Sequence, residues 1–400
     1  MSSNNPRYQQ FIDFFGTPQQ EVQHFFSPGR VNLMGEHVDY NGGQVLPIAI
    51  PQGIAATVAW NDSRIIRIRS MQGEGELVID LSDEGYGKRS EHWQNYPLGV
   101  IYTLWKRQQN LKNHLRILDA GCDILLDSNL PAESGLSSSA ALEMLIAFVI
   151  FSRNYAQKLK DIPSIRVTLA LLCQKAENNF VGVQSGIMDQ FAVAMGQHNN
   201  AILLDCQTLK FQYVPFQSRK YTLLILNSNK PRQLTESKYN ERKSECDQAL
   251  AILQQQYPHI KNLCEAQLVE LDAIPFDILY RRAYHVVTEN QRTVAAAKAL
   301  VENDWLRLGE LFNESQFSLR DMYEVTGFEL DMLVELAQQL EGCIGARMTG
   351  AGFGGCAIAL VETDKVTDFK ITLALQYQKL VQLPLSIYEA TAENGVDTVA

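Results

Sequence analysis

No C-x-x-C pair occurs among the seven cysteines of this 400-residue chain, which stand at 122, 173, 206, 246, 264, 343 and 356. So dispersed and odd a set argues against a zinc site and a disulfide frame and predicts reduced core thiols. A basic excess is missing as well: 35 Lys and Arg against 45 Asp and Glu give a formal net charge of -10. A surface of that sign attracts neither nucleic acid nor anionic membrane, so neither is an expected partner. No apolar run reaches the length of a bilayer span. The most apolar long stretch, Ala140 to Phe151, contains Glu143 and reads as a buried helix. The opening residues, MSSNNPRYQQFIDFF, lack a basic start followed by an apolar run, so no secretory signal is expected and the chain is placed in the cytoplasm. On that expectation the N-glycosylation patterns at Asn61 and Asn313 carry no weight. The G-x-x-x-x-G-K-[ST] loop of the common nucleotidases is also missing.

What remains is ordinary globular composition, 46% apolar and 20% charged, in a chain too long for one core. The first part mixes element types. Ile54 to Trp60 and Ile65 to Arg69 read as strands around an Asn61-Asp62-Ser63 turn. Leu169 to Asn179 reads as a helix, and Gly182 to Met195 as a loop entering another. After Pro231 helical periodicity dominates: Ser237 to Gln254, Tyr280 to Asn303, Trp305 to Tyr323 and Glu329 to Leu340. The expected architecture is α+β, with two closely packed domains (1–215 and 216–400), a soft boundary within residues 205–230 and a cleft between them. Without a heptad pattern or a long exposed apolar helix, a monomer is expected.

Four segments carry chemistry. Residues 131–141, PAESGLSSSAA, are a small-residue loop opening onto the apolar helix. Unpaired N–H groups and the positive helix end make such a loop a phosphate cradle, and its serines offer a hydroxyl to a magnesium ion. A plain serine N-cap is the alternative. Residues 27–43, SPGRVNLMGEHVDYNGG, crowd Glu36, His37 and Asp39 between glycines, a density of acceptors suited to a polyol. Arg30 in the same segment is permanently charged, able to steady a transferring phosphoryl group or hold an acid ionised. In residues 182–191, GVQSGIMDQF, Asp189 is a candidate base for a hydroxyl, and Glu177 on the preceding helix a candidate magnesium ligand. A helix-capping Asp is equally compatible with that segment alone. Residues 347–356, RMTGAGFGGC, contain G-x-G-x-x-G, but a strand-like run follows instead of a helix, which argues against a dinucleotide fold.

Taken together these segments resemble the GHMP small-molecule kinases, and within them the galactokinase branch. GRVNLMGEHVDYNGG resembles the branch's sugar signature, SGLSSSAALE its ATP loop and RMTGAGFGG its late glycine loop, in the family's order. Trp93 to Gly99, Ala176 to Phe191, Ser237 to Cys246, His285 to Arg292 and Ser318 to Val325 are similar too, so the likeness runs from Phe25 to Leu360. It implies a two-domain GHMP kinase fold with the active site in the interdomain cleft, and ATP-dependent phosphorylation of α-D-galactose at C1 with Mg2+. Asp189 then matches the catalytic aspartate and Arg30 the arginine beside it. Glu36, His37, Val38, Asp39, Gly186, Asp189 and Tyr239 match sugar-binding positions. Glu133, Ser134, Gly135, Leu136, Ser137, Ser138 and Ser139 match the ATP cradle, Ser70 and Trp93 border the nucleotide, and Ser139 and Glu177 match the metal ligands. Four positions depart from the pattern. Glu133 replaces the usual glycine, putting a carboxylate near phosphates; Val38 replaces the usual threonine; Gln316 and Met322 replace more polar residues. An N-acetylgalactosamine kinase and a non-catalytic sensor of galactose and ATP are the alternatives. The sensor is disfavoured because the serine loop, Arg30, Glu177 and Asp189 are all present.

Overall fold

The computed structural model describes residues 6–73, 75–83, 92–110, 117–131, 134–230 and 235–399. Among these, one sheet has six strands in the spatial order Asp397–Val399, Gln23–Asn32, Pro47–Asn61, Gly121–Ser128, Ile65–Ser70 and Glu76–Asp80. The expected strands around the Asn61 turn are present, but they are not neighbours. Gly121–Ser128 lies between them, antiparallel to one and parallel to the other. Glycine at 121 is what permits this: a Cβ there would lie 2.2 Å from the Ile65 carbonyl oxygen.

The apolar stretch after the serine loop lies within the helix Ser138–Asp161, and every residue from Ala140 to Phe151 is buried. A helix apolar on all sides belongs inside the protein. It packs against the six-stranded sheet on one side and against Asn95–Asn110, Pro163–Ala176 and Met188–Met195 on others. Pro163 stands at the first turn of its helix, where its missing N–H costs nothing. That helix ends in a wide turn, Glu177–Val181, whose hydrogen bonds run one residue further than the α pattern. Such bulges gather at functional sites because they re-aim side chains.

The second half is built on a four-stranded antiparallel sheet ordered Cys343–Thr349, Cys356–Glu362, Tyr221–Asn227 and Ser386–Ala390. The glycine segment is the turn of a hairpin between its first two strands, as expected from the strand-like run that follows it. The predicted helices appear as Thr235–Gln256, Ile278–Val301, Trp305–Ser318 and Phe328–Gln339. A three-stranded sheet, Gln44–Val45, Asn200–Asp205 and Phe211–Pro215, borders both halves. The expected boundary at 215/216 follows its last strand, yet Asp397–Val399 returns to the first sheet, placing Val399 opposite His24. All seven cysteines are free. Among the described residues no helix is long and apolar enough to cross a membrane.

Candidate active site

Three of the four segments meet with the helix Thr235–Gln256 at a cleft of about 870 Å³, and the turn of the late glycine loop supplies Gly350 and Ala351 to its wall. Arg30 reaches it from the strand Gln23–Asn32, whose register shifts between Pro28 and Arg30. A bulge of this kind bends a strand and turns a side chain. Here it brings the strand onto the serine loop: the Arg30 N–H donates to the Leu136 carbonyl at 3.2 Å. Gly29 leaves room for that contact, since a Cβ would sit 2.7 Å from the same oxygen.

The Arg30 guanidinium then holds Asp189 as a fork. Nε donates to Oδ1 and Nη2 to Oδ2, each at 2.8 Å, while Nη1 donates to the Gly135 carbonyl at 2.8 Å. Paired N–H donors on a carboxylate fix both groups in orientation as well as in charge. Ser137 Oγ adds a third bond to Asp189, 2.5 Å to Oδ2. Ser137 adopts a left-handed backbone (φ 61°) just before the helix Ser138–Asp161, a strained conformation of the sort that gathers at functional sites. One carboxylate thus ties the phosphate-type loop to Arg30, on the strand that leads into the opposite wall.

The acceptor-rich turn forms that wall. Glu36 is wholly buried, hydrogen-bonded to the Asn32 amide and to the Gly350 N–H at 2.8 Å, and ion-paired with the Arg347 guanidinium at 3.0 Å. Burial raises its carboxyl; Arg347 and the Asn32 bond pull the other way. His37 has φ 63°. Its Nε2 lies 3.2 Å from the Ala351 carbonyl and its Nδ1 2.8 Å from Tyr40 Oη. A carbonyl only accepts, so Nε2 carries the proton and Nδ1 accepts from Tyr40. The chain continues: Tyr323 donates to Tyr40 at 2.8 Å, and the Cys246 thiol to Tyr323 at 3.1 Å. Burial, and then the neighbouring His285, push the His37 pKa down to about 3, so the ring is neutral. The Tyr239 ring packs 5.5 Å from His37 and 5.2 Å from Tyr40, centre to centre. Gly186 passes so close to Asp39 that a Cβ would lie 1.9 Å from its Oδ2.

Burial, then the charge of Asp189, raise the Asp39 carboxyl to about 7. In the unfolded chain it ionises near its ordinary value of about 4. Between those values the folded chain holds a proton that the unfolded chain lacks. The group therefore lowers stability progressively as pH rises from about 4 to about 7. Asp39→Asn is expected to melt with wild type at pH 4 and at a higher temperature at pH 7.5. A lower melting temperature for the variant at pH 7.5 would refute this account of Asp39.

On the serine side, Ser139 hydrogen-bonds Glu177. Glu177 also accepts from Ser185 Oγ at 2.5 Å and from Gln190 Nε2 at 2.9 Å, and Gln190 reaches the buried Glu143 at 3.0 Å. A hydroxyl and a carboxylate are hard oxygen donors, and beside a phosphate loop they suit a divalent ion that keeps phosphate oxygens and waters as its other ligands. The donor set fits such an ion.

Of the predicted residues, Arg30, Glu36, His37, Asp39, Gly186, Asp189 and Tyr239 line the cleft, as do Trp93, Gly135, Ser137, Ser138, Ser139 and Glu177. Others do not line it. Val38 and Leu136 are core residues. Ser134 Oγ donates to the Pro131 carbonyl, and Ser70 Oγ accepts from the Gln72 and Gly73 amides. Glu133 lies outside the described residues. Residues that hold the cleft together and carry no role in the sequence reading include Tyr40, His285, Glu289 and Arg347. Polar and charged side chains recurring every fourth position along a helix, as at His285, Glu289 and Thr293, are the signal that points to two of them.

Comparison with known proteins fits this geometry. Residues 9–59 match the galactokinase galactose-binding signature, 95–197 the GHMP kinases N terminal domain and 296–370 the GHMP kinases C terminal domain. The galactokinase of Exiguobacterium sibiricum is 43% identical over 384 residues, covering 95% of each chain. The chain belongs to the galactokinase family. A galactokinase of Streptococcus thermophilus is 44% identical over 393 residues, 97% of each chain. The crystal structure of Lactococcus lactis galactokinase complexed with galactose superposes with a TM-score of 0.88, at 42% identity and 98% coverage of both chains. The two-domain GHMP kinase fold expected from the motifs is therefore the fold of this chain. Within the family match, Arg30 and the acceptor turn fall in the galactose-binding signature, and Ser139, Glu177 and Asp189 in the N-terminal domain.

Proposed function

We propose that the chain transfers the γ-phosphoryl group of ATP to the C1 hydroxyl of α-D-galactose, releasing galactose 1-phosphate and ADP. The observation that carries this reading is the Arg30 fork on Asp189, at the junction of the serine loop and the acceptor turn. The relative crystallised with galactose supports that sugar as the acceptor. Galactose occupies the wall formed by Glu36, His37, Asp39, Gly186 and Tyr239. The nucleotide phosphates lie at the N-terminus of the helix Ser138–Asp161, with Trp93 and the Ser70 turn at its border. Phosphoryl transfer asks a protein mainly for positioning and charge neutralisation. Arg30 meets charge on the transferring group, and Asp189 orients the C1 hydroxyl and accepts its proton late in the transfer. Mg2+, held by Ser139 and Glu177, supplies the remaining positive charge when bound. We place the enzyme in the cytoplasm as a monomer, in keeping with its free thiols. The same reading keeps the division into an N-terminal unit, 1–215, and a C-terminal unit, 216–400.

The test is ADP release with Mg–ATP across D-galactose, N-acetylgalactosamine, D-glucose, mevalonate and homoserine. Turnover with galactose alone is the expected outcome. Turnover with another sugar alone would move the substrate within the family. Galactose binding without turnover would make the protein a sensor.

A further inference from the structure

The acceptor turn is not shaped by its own segment alone. The helix Ile278–Val301 lies against it and presents His285, Glu289 and Thr293 at intervals of four, one face of a helix. Each meets the turn. His285 Nε2 donates to the Glu36 carbonyl at 3.1 Å, and its Nδ1 accepts from Ser318 Oγ at 2.9 Å. Glu289 Oε1 accepts the Gly35 N–H at 3.1 Å, the Glu36 N–H at 3.3 Å and Ser315 Oγ at 2.8 Å. Thr293 Oγ1 would lie 2.8 Å from a Cβ on Gly35, whose φ is +98°. Next to Glu289, Asn290 Oδ1 takes the Gln44 N–H at 2.8 Å at the far end of the turn.

We propose that Glu289, with His285 beside it, is a positioning residue that sets the geometry of the sugar-binding turn and thereby the affinity for galactose. Glu289 does not line the cleft; it acts through the backbone N–H groups of Gly35 and Glu36, the two residues that bring the chain to the Glu36 side chain. The inference rests on the sugar site proposed above. Its carboxylate is fully buried yet well matched: Arg292 Nε donates to Oε2 at 2.7 Å, and Ser315 and the two amides occupy Oε1. Burial alone would raise the carboxyl, but Arg292, then Arg347 and His285, more than offset this and hold it at about 2. It therefore stays ionised through any working pH, and its hold on the turn does not vary. A charged acceptor makes the stronger kind of hydrogen bond to backbone N–H groups. The amide side chain of a Gln at this position retains an acceptor but loses the charge and turns an N–H toward Arg292 or toward the turn.

The experiment compares full-length wild type with Glu289→Gln and Ser315→Ala, by steady-state kinetics in both substrates and by calorimetric titration with galactose. For Glu289→Gln the KM and Kd for galactose are expected to rise about tenfold, while kcat and the KM for ATP stay within about threefold. Ser315→Ala removes one hydroxyl from the same carboxylate and is expected to raise the galactose KM about threefold. Unchanged galactose binding in Glu289→Gln, or an equal loss in kcat and both KM values, overturns the inference. Should Glu289→Gln fail to fold, Ser315→Ala decides: an unmoved galactose KM overturns it. Wild type that neither binds nor phosphorylates galactose sinks the proposed function and this inference together. Wild type that does both, beside unaffected variants, sinks the inference alone.

Discussion

Asp189→Ala is expected to lower kcat for galactose by about three orders of magnitude or more, read as ADP release at saturating sugar and Mg–ATP. Two losses combine. The sugar hydroxyl loses the carboxylate that receives its proton, and Arg30 loses the group that orients its guanidinium through paired 2.8 Å bonds. Asp189→Asn separates them in part. The Asn side chain keeps one oxygen for the fork but sets an NH2 group against Arg30 or Ser137, both of which donate to Asp189. It also cannot accept the proton. Its kcat is expected to fall by about two to three orders of magnitude, with galactose affinity retained within a few-fold. Near-normal turnover in the Asn variant would remove the base role and leave orientation as the whole task of Asp189.

Arg30 carries the second large effect. Arg30→Lys is expected to lower kcat about a thousandfold while leaving the KM for galactose within a few-fold, because charge on the transferring group develops mainly in the transition state. The substitution conserves charge and discards geometry. An ammonium cannot donate two parallel bonds to Asp189 and a third to the Gly135 carbonyl at once. Arg30→Met, which also removes the charge, is expected to fall further. Steady-state rates for the two variants check this. A Lys variant within tenfold of wild type would show that the charge alone suffices and that the fork is incidental.

Much of the site was legible in the amino-acid sequence because its parts are local. The serine loop and its apolar helix, the crowded Glu36–His37–Asp39 turn and the Gly186–Asp189 turn each announce themselves within a dozen residues. The glycine segment was readable as a strand connection for the same reason. What joins these parts was not readable. Glu289 lies 254 positions from Gly35, and Arg347, 314 positions from the Leu33 carbonyl it donates to at 2.5 Å, pairs with Glu36. A charged residue on a helix is usually solvated, and only the packing of this helix on the turn brings Glu289 to the Gly35 and Glu36 amides. Sheet order was hidden likewise. The strands either side of Asn61 were predicted from their composition, but the insertion of Gly121–Ser128 between them depends on a glycine more than fifty positions away. Val38 shows the converse. It stands within the sugar motif, yet its side chain serves the core.

The buried bonds across the acceptor turn also bear on how the molecule can move. Arg347 and Glu289 belong to the second half of the chain, Glu36 and Gly35 to the first, and both charged groups are shut away from water. Swinging the halves apart at this point would part Arg347 from Glu36, at about 3–5 kcal/mol for a broken buried pair, and take the Gly35 and Glu36 amides from Glu289. The floor of the cleft is thus a fixed joint, not a hinge. Any opening that admits the sugar is therefore expected away from this contact, with the acceptor turn held in place.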